Sequence, residues 1–295
     1  MKVGVSMWSY FNAWTAGKID IPGFIREAAL AGAQGVELLD FFYRDPGGDV
    51  SDIEGKRKSA LDALEQTGLP CCVFSIAQNF VHTDAAARAA ELKKIEFGVD
   101  EALHFKTDVV RVFAGDVHSE GIGFDEAREW IVEGLVLGAN YAHERGVKLA
   151  LENHGKLAGR GDQVRGLIDD VRQRCGHDAL GANPDTGNFL LVNQASHEAI
   201  NEVAKYAYMV HFKDFAPAPE GHEGFAYEAL NGDKYVGTAV GEGMVKLDTC
   251  VEILRDVDFQ GWLNVEYEAQ EDPFTGVPRS IHTARNVVQS VTMTR

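Results

Sequence analysis

Four side chains with metal-binding chemistry recur in the second half of the chain, each at the end of a short apolar run. Val147-Lys148-Leu149-Ala150-Leu151 leads into Glu152-Asn153-His154-Gly155, and Gly181-Ala182-Asn183-Pro184 leads into Asp185. Met209-Val210 leads into His211-Phe212-Lys213-Asp214, and Leu263-Asn264-Val265 leads into Glu266-Tyr267-Glu268. Taken singly, a glutamate after a strand is ordinarily a salt-bridge or cap residue, and a histidine a packed surface group. Brought to one place, three carboxylates repel strongly unless a cation removes the cost. One imidazole with three carboxylates suits a single divalent metal ion with positions left open for substrate oxygens. Mn²⁺ is the first expectation, and Mg²⁺, Co²⁺ and Zn²⁺ also suit the set.

Whether these residues meet depends on the elements that carry them. Short runs rich in Val and Leu fall at residues 3–9, 35–39, 70–76, 108–113, 147–151, 179–183, 208–212 and 262–267, as expected of strands buried on both faces. Helical patterns lie between them. In residues 125–145, Ile131, Leu135, Gly138 and Ala142 share one face, Asp125 and Glu126 occupy the first turn, and Gly146 follows as a stop. Gly32 and Gly68 stop the first two helices in the same way. Strict βα alternation implies parallel strands and right-handed crossovers, and eight units favour a closed barrel. The expected fold is α/β, a single (β/α)₈ TIM barrel spanning residues 1–295 as one domain. Catalytic groups of such barrels sit at the C-terminal ends of strands, which is where Glu152, Asp185, His211 and Glu266 fall. Residues 45–52 read as a Gly/Asp-rich loop. Residues 215–243, opening Ala216-Pro217-Ala218-Pro219, read as a long lid or binding loop after the seventh strand.

Composition excludes other classes. The chain has 28 basic and 45 acidic residues, a formal net charge of −17, which repels phosphate backbones and anionic membrane surfaces. The cysteines Cys71, Cys72, Cys175 and Cys250 show no zinc spacing and read as reduced, mostly buried thiols. The run from Met1 to Trp8 enters a strand with no charged leader or apolar h-region, so a cytoplasmic location is expected. No apolar stretch approaches the ~18 residues of a membrane span.

The motifs Leu151-Glu152-Asn153-His154, Asn183-Pro184-Asp185-Thr186-Gly187-Asn188, His211-Phe212-Lys213-Asp214 and Val265-Glu266-Tyr267, with the turn Gly241-Glu242-Gly243, resemble the xylose-isomerase-like TIM barrels of the sugar phosphate isomerase/epimerase superfamily. The resemblance covers essentially the whole chain. It implies a metal-dependent isomerase or epimerase of a sugar (ketose or aldose), with Glu152, Asp185, His211 and Glu266 as metal ligands. Glu152 and Glu266 would be the acid/base pair acting through an enediolate. Two departures stand out. The ketose 3-epimerases of this superfamily place a substrate-contacting His three residues after the metal-binding Asp, where this chain has Asn188. They also carry an Arg soon after the strand-seven His, where this chain has Lys213 and Asp214. These differences leave room for a dehydratase or lyase acting on a keto-cyclitol, of the inosose dehydratase type, or on a keto-sugar glycoside. Members of the superfamily commonly form dimers or tetramers, so a homo-oligomer is among the expectations.

Further candidates carry a functional and a structural reading each. His154 could contact a substrate hydroxyl or protonate a leaving group, or else orient a metal ligand. Asn188, at the departing position, is a substrate-contact candidate. Lys213 could neutralise a developing oxyanion, or pair with Asp214 or Glu242. Trp8 and Phe80 sit near rim positions and could wall the pocket. Arg111, flanked by apolar residues, needs a carboxylate partner, and Glu37 is the expected one. Gly159-Arg160-Gly161 could greet a phosphate, but Glu242 would repel one where barrels usually bind it, so an unphosphorylated sugar or cyclitol is expected. Two readings outside this group are weaker. A DNA-repair nuclease of the related endonuclease IV barrel needs more strand-end histidines and a basic surface. A non-enzymatic sugar-binding barrel leaves the intact ligand set unexplained.

Overall fold

The structure, a computed structural model, describes residues 1–45, 48, 50–115 and 121–293. Eight parallel strands form the barrel: β1 (Lys2–Ser6), β2 (Val36–Leu39), β3 (Cys71–Ser75), β4 (Val109–Val112), β5 (Lys148–Glu152), β6 (Leu180–Asn183), β7 (Met209–Phe212) and, after three strands of a separate sheet, β11 (Trp262–Val265). Their order, β6-β5-β4-β3-β2-β1-β11-β7, follows the chain around a nearly closed (β/α)₈ barrel. Between β6 and β7 there is no ladder, only the isolated bridges Ala182↔Ala207 and Asp185↔His211. His211 N–H donates to the Pro184 carbonyl (3.1 Å) and Thr186 N–H to the His211 carbonyl (3.0 Å), so the seam closes at the level of the candidate ligands.

The first and last strands stop earlier than their apolar runs suggest. After Ser6 the chain turns into the 3₁₀ segment Met7–Tyr10, where the Ser6 side chain accepts from Trp8 N–H. β11 ends at Val265, which leaves Glu266, Tyr267 and Glu268 on the rim. The helix expected over 125–145 spans Phe124–His143. Gly32, Gly68 and Gly146 adopt the left-handed backbone expected of stops, with φ of 80°, 72° and 69°.

The segment 215–243 is not the irregular loop its prolines suggest. Asp214–Pro217 (β8), Tyr227–Glu228 (β9) and Lys234–Thr238 (β10) form an antiparallel sheet in the order β8-β10-β9. A tight turn at Asn231-Gly232 joins β9 to β10, with Gly232 at φ 88° and Ala229 N–H donating to the Asp233 carbonyl at 2.8 Å. Gly237 of β10 also bridges to Ala269, which fixes this sheet against the end of β11.

Apolar side chains fill the space between strands and helices. A second, smaller cluster, Cys72, Val73, Val109, Ala150 and Met209, draws on strands alone. All four cysteines are free, with Cys71, Cys72 and Cys250 buried. Phe80 is fully buried in the main core, where its ring lies 2.5 Å from the position a Cβ on Gly134 would take. It packs a helix and does not wall a pocket. Among the described residues no helix is long and apolar enough to cross a membrane.

Candidate metal centre

β5 ends on Glu152, Asp185 follows β6 by two residues, His211 lies within β7, and Glu266 follows β11 directly. One ligand atom from each lies within 4.8 Å of all the others. From His211 Nδ1, the distances are 3.3 Å to Glu152 Oε2, 3.7 Å to Glu266 Oε1 and 3.9 Å to Asp185 Oδ2. All four residues are buried.

The surroundings aim each ligand. Asp185 Oδ1 accepts from the N–H groups of Gly187 and Asn188, both at 2.9 Å, which leaves Oδ2 for the cluster. Its backbone is clamped by Asn153, which donates to the Asp185 carbonyl (3.1 Å) and accepts from its N–H (2.7 Å). Glu152 accepts from Asn183 Nδ2 (3.1 Å) and Asn188 Nδ2 (3.3 Å) and lies 3.2 Å from Arg111 Nε. His211 Nε2 faces Glu37, at 2.9 and 3.1 Å from its two oxygens, and Glu37 is itself held by Ser75 Oγ (2.6 Å) and Asn264 Nδ2 (3.0 Å). A carboxylate behind the ring requires a proton on Nε2, so Nδ1 is the atom presented to the cluster.

Arg111 therefore does not pair with Glu37 as expected. Glu37 is already engaged by His211, Ser75 and Asn264. Arg111 reaches toward the rim, where its partners are Glu152 and the Ile76 carbonyl (2.8 Å), with its guanidinium 4.0 Å over the Phe113 ring. Lys213 pairs with neither Asp214 nor Glu242. Its Nζ sits 2.6 Å from Glu266 Oε2, 3.0 Å from Asp185 Oδ2 and 3.4 Å from Glu268 Oε1, and donates to Asn188 Oδ1 at 3.3 Å. Its alkyl stem passes Gly187 so closely that a Cβ there would lie 2.7 Å from Lys213 Cγ, so the glycine of Asp185-Thr186-Gly187 admits the lysine. Asp214 instead caps the Gly241–Gly243 turn, accepting from the N–H groups of Phe215, Gly241, Gly243 and Val245, while Glu242 pairs with Arg279.

Crowding shows in the proton affinities. Burial raises the carboxyl pKa of Asp185 to about 7; Lys213 opposes this, and the charges of Glu266 and Glu152 add to it. Burial also works against ionising Glu152 and Glu266. For Glu152 the charges of His211 and Arg111 outweigh it, for Glu266 those of Lys213 and His211, and both fall to about 2. Burial lowers the His211 pKa, but Glu37, Glu266 and Glu152 carry it well above its ordinary value. Asp185 Oδ2 meets the Lys213 ammonium at 3.0 Å, and His211 Nδ1 makes no well-aligned hydrogen bond among the described residues and faces the oxygens of Glu152, Glu266 and Asp185. Three carboxylate oxygens and one imidazole nitrogen, all converging, fit a divalent cation.

Beside the cluster lies a cavity of about 420 Å³. Glu152 and Glu266 reach its wall together with Lys213, Arg111, His154 and Trp8, whereas Asp185 and His211 do not line it. His154 stacks on Phe113 at 4.1 Å. Burial lowers its pKa, with Glu152 opposing, so the ring is neutral at pH 7. Trp8 donates through Nε1 to Glu268 Oε1 at 2.8 Å. Asn188 lines an adjoining groove of about 590 Å³. Two N–H groups of the Gly159–Gly161 turn are already used: Arg160 N–H donates to Gln163 and Gly161 N–H to Gln194.

The sequence model of the xylose isomerase-like TIM barrels matches residues 25–287. The chain belongs to the xylose isomerase-like TIM barrel family. Within it, the chain is 26% identical over 159 residues to an inosose dehydratase of Lacticaseibacillus casei; the match takes in 52% of this chain and 51% of that relative, so it spans about half the relative's length. Two solved structures share the fold over nearly their whole length. One is a 3-keto-D-glucoside 4-epimerase from E. coli, with a TM-score of 0.72 and 16% identity, covering 97% of this chain and 99% of that one. The other is a xylose isomerase-like barrel from Mycobacterium smegmatis in complex with magnesium, with a TM-score of 0.70 and 17% identity, covering 99% and 97%. The proteins the chain is similar to thus include a dehydratase by sequence and an epimerase by fold.

Sequence reasoning missed the residues that aim the ligands. Glu37 was read as a partner for Arg111, and Asn153, Asn183, Asn264 and Glu268 were given no part. A signal existed: Glu37 in Val-Glu-Leu-Leu and Asn264 in Leu-Asn-Val are polar groups inside buried strands, and such groups need a partner.

Proposed function

We propose that the protein is a metal-dependent isomerase or epimerase of a sugar, with Glu152 and Glu266 as the acid/base pair. The observation that carries this reading is the split within the cluster: Glu152 and Glu266 reach the cavity wall, and Asp185 and His211 do not. A divalent ion held by Glu152, Asp185, His211 and Glu266, with Mn²⁺ the first choice, would polarise a carbonyl and its neighbouring hydroxyl. The residues themselves move the proton. Glu152, kept ionised by His211 and Arg111, removes the proton next to the carbonyl. Glu266, held ionised at rest by Lys213 at 2.6 Å, takes a proton from water and delivers it to the neighbouring carbon or the opposite face, so one proton goes to Glu152 and one comes from solvent. His154 and Asn188 orient hydroxyls from the wall and the adjoining groove.

A second reading, a dehydratase on a keto-cyclitol, is favoured by the half-length similarity to an inosose dehydratase and by His154. The first proton abstraction is the same. The proton that Glu152 has taken then passes to the departing β-hydroxyl, which leaves as water as the carbon–carbon double bond forms, and His154 on the cavity wall hydrogen-bonds that hydroxyl.

The experiment is turnover of ketoses and inososes in D₂O by Mn²⁺-loaded protein, beside Glu152→Gln and Glu266→Gln. Deuterium at the carbon next to the carbonyl, lost in the variants, is the expected result. Product of unchanged composition supports isomerisation, and loss of water supports dehydration. Turnover without solvent exchange in either direction sinks the proton-transfer pair.

A further inference from the structure

β11 delivers two rim carboxylates, and the proposed chemistry uses only Glu266. Glu268, two residues on, is held by donors from three other parts of the fold. Trp8 Nε1 donates to Oε1 at 2.8 Å, Tyr227 of β9 donates its hydroxyl to Oε2 at 2.7 Å, and Lys213 Nζ lies 3.4 Å from Oε1. The carboxylate is therefore fixed in place, yet its side chain keeps 13% exposure. It lines both the cavity beside the cluster and the adjoining groove, so it stands where one opens into the other. Oε1 already faces two of these donors, whereas Oε2 accepts from Tyr227 and has a second lone pair to offer, and an ionised carboxylate can only accept hydrogen bonds.

Charge around the cavity narrows what it can meet. Its walls carry the carboxyl groups of Asp40, Glu152, Glu266 and Glu268, and those of Asp185 and Glu37 lie behind them in and beside the cluster. Among the described residues the lining cations are Arg111, Lys213 and Lys94, and each already contacts a carboxylate: Glu152 for Arg111; Asp185, Glu266 and Glu268 for Lys213; Glu91 for Lys94. A divalent ion in the cluster still leaves negative charge in excess. A carboxylate or phosphate on the ligand would add to it in a poorly solvated space, where like charges are costly. A hydroxyl donates to Glu268 at no such cost.

We propose that Glu268 is a specificity-determining residue that accepts hydrogen bonds from the hydroxyls of an uncharged polyhydroxy ketone and turns away carboxylated or phosphorylated ketones. This rests on the functional reading above and narrows its substrate class.

The test uses Mn²⁺-loaded protein with two matched pairs of probes: 2-keto-myo-inositol against 3-dehydroshikimate, and D-fructose against D-fructose 6-phosphate. Affinity is read by calorimetry and turnover by product analysis, for wild type, Glu268→Gln and Glu268→Ala, with melting temperature and metal content as checks on folding. Wild type is expected to favour the uncharged member of at least one pair by about tenfold or more. Glu268→Gln, which keeps the shape and removes the charge, narrows that ratio, and Glu268→Ala weakens the uncharged probe by about tenfold. A purely structural role would lower the melting temperature of both variants and leave the ratio alone. Anionic preference in wild type, or an unchanged ratio in a folded Glu268→Gln, overturns the inference while the functional reading stands. Wild type that holds its metal yet binds and converts neither member of either pair overturns the functional reading, and the inference with it.

Discussion

The two halves of the barrel rim have opposite characters. Strands β5, β6, β7 and β11 end in Glu152, Asp185, His211 with Lys213, and Glu266 with Glu268, a dense set of buried charge. Strands β1, β2 and β4 end instead in rings: Trp8 stacks on Phe11 at 4.7 Å, Phe41 and Phe42 meet Trp14 at 5.5 and 5.3 Å, and Phe113 stacks on His154. One half holds charges that can bind an ion and move protons. The other gives the cavity the aromatic faces of Trp8, Phe41 and Phe113, low-dielectric surfaces that strengthen the charge interactions beside them. The same scaffold position, a strand's C-terminal end, serves chemistry on one side and shape on the other.

That division can be broken from either side. Asp185→Asn and His211→Ala should have the largest effect, losing the bound divalent ion by elemental analysis and turnover by a thousandfold or more, on the order expected when metal-assisted chemistry is removed. Retention of both ion and turnover in either variant would place the chemistry elsewhere. On the aromatic side, Phe42→Ala removes a buried ring and should cost about 3–5 kcal/mol in denaturant unfolding while metal content per folded chain stays level. Loss of the ion from folded Phe42→Ala would mean that the halves are not separable. Glu37→Gln sharpens the comparison, because Glu37 rises from the aromatic half to hold His211. Metal affinity should fall by about 10- to 100-fold with the fold intact, as measured by competition with a chelator. The smallest effect expected is that of Trp8→Phe, which deletes one donor to Glu268 and should raise KM by about threefold to tenfold with kcat held.

Much of the fold and the convergence of Glu152, Asp185, His211 and Glu266 are legible in the chain, because barrel geometry converts strand order into position. Once Glu152, Asp185, His211 and Glu266 fall at the ends of consecutive strands, the fold sends them to one rim with no further information. Partnerships across the barrel were not legible in the same way. His211 and Glu37 are 174 residues apart, and nothing local to either selects the other. The sequence offers Glu37 to Arg111 and Asp214 or Glu242 to Lys213, whereas their partners are set by how far long side chains reach once the barrel has closed. The β9–β10 hairpin was missed for a different reason. The prolines at 217 and 219 suggested a loop and drew attention from Asn231-Gly232, a turn signal that the structure uses.

The seam between β6 and β7 gives the cluster a second meaning. Asp185 and His211 stand on opposite sides of the one place where the barrel lacks a ladder, and their own bridge is part of what closes it. The contact that seals the cylinder is therefore also the one that sets Asp185 beside His211.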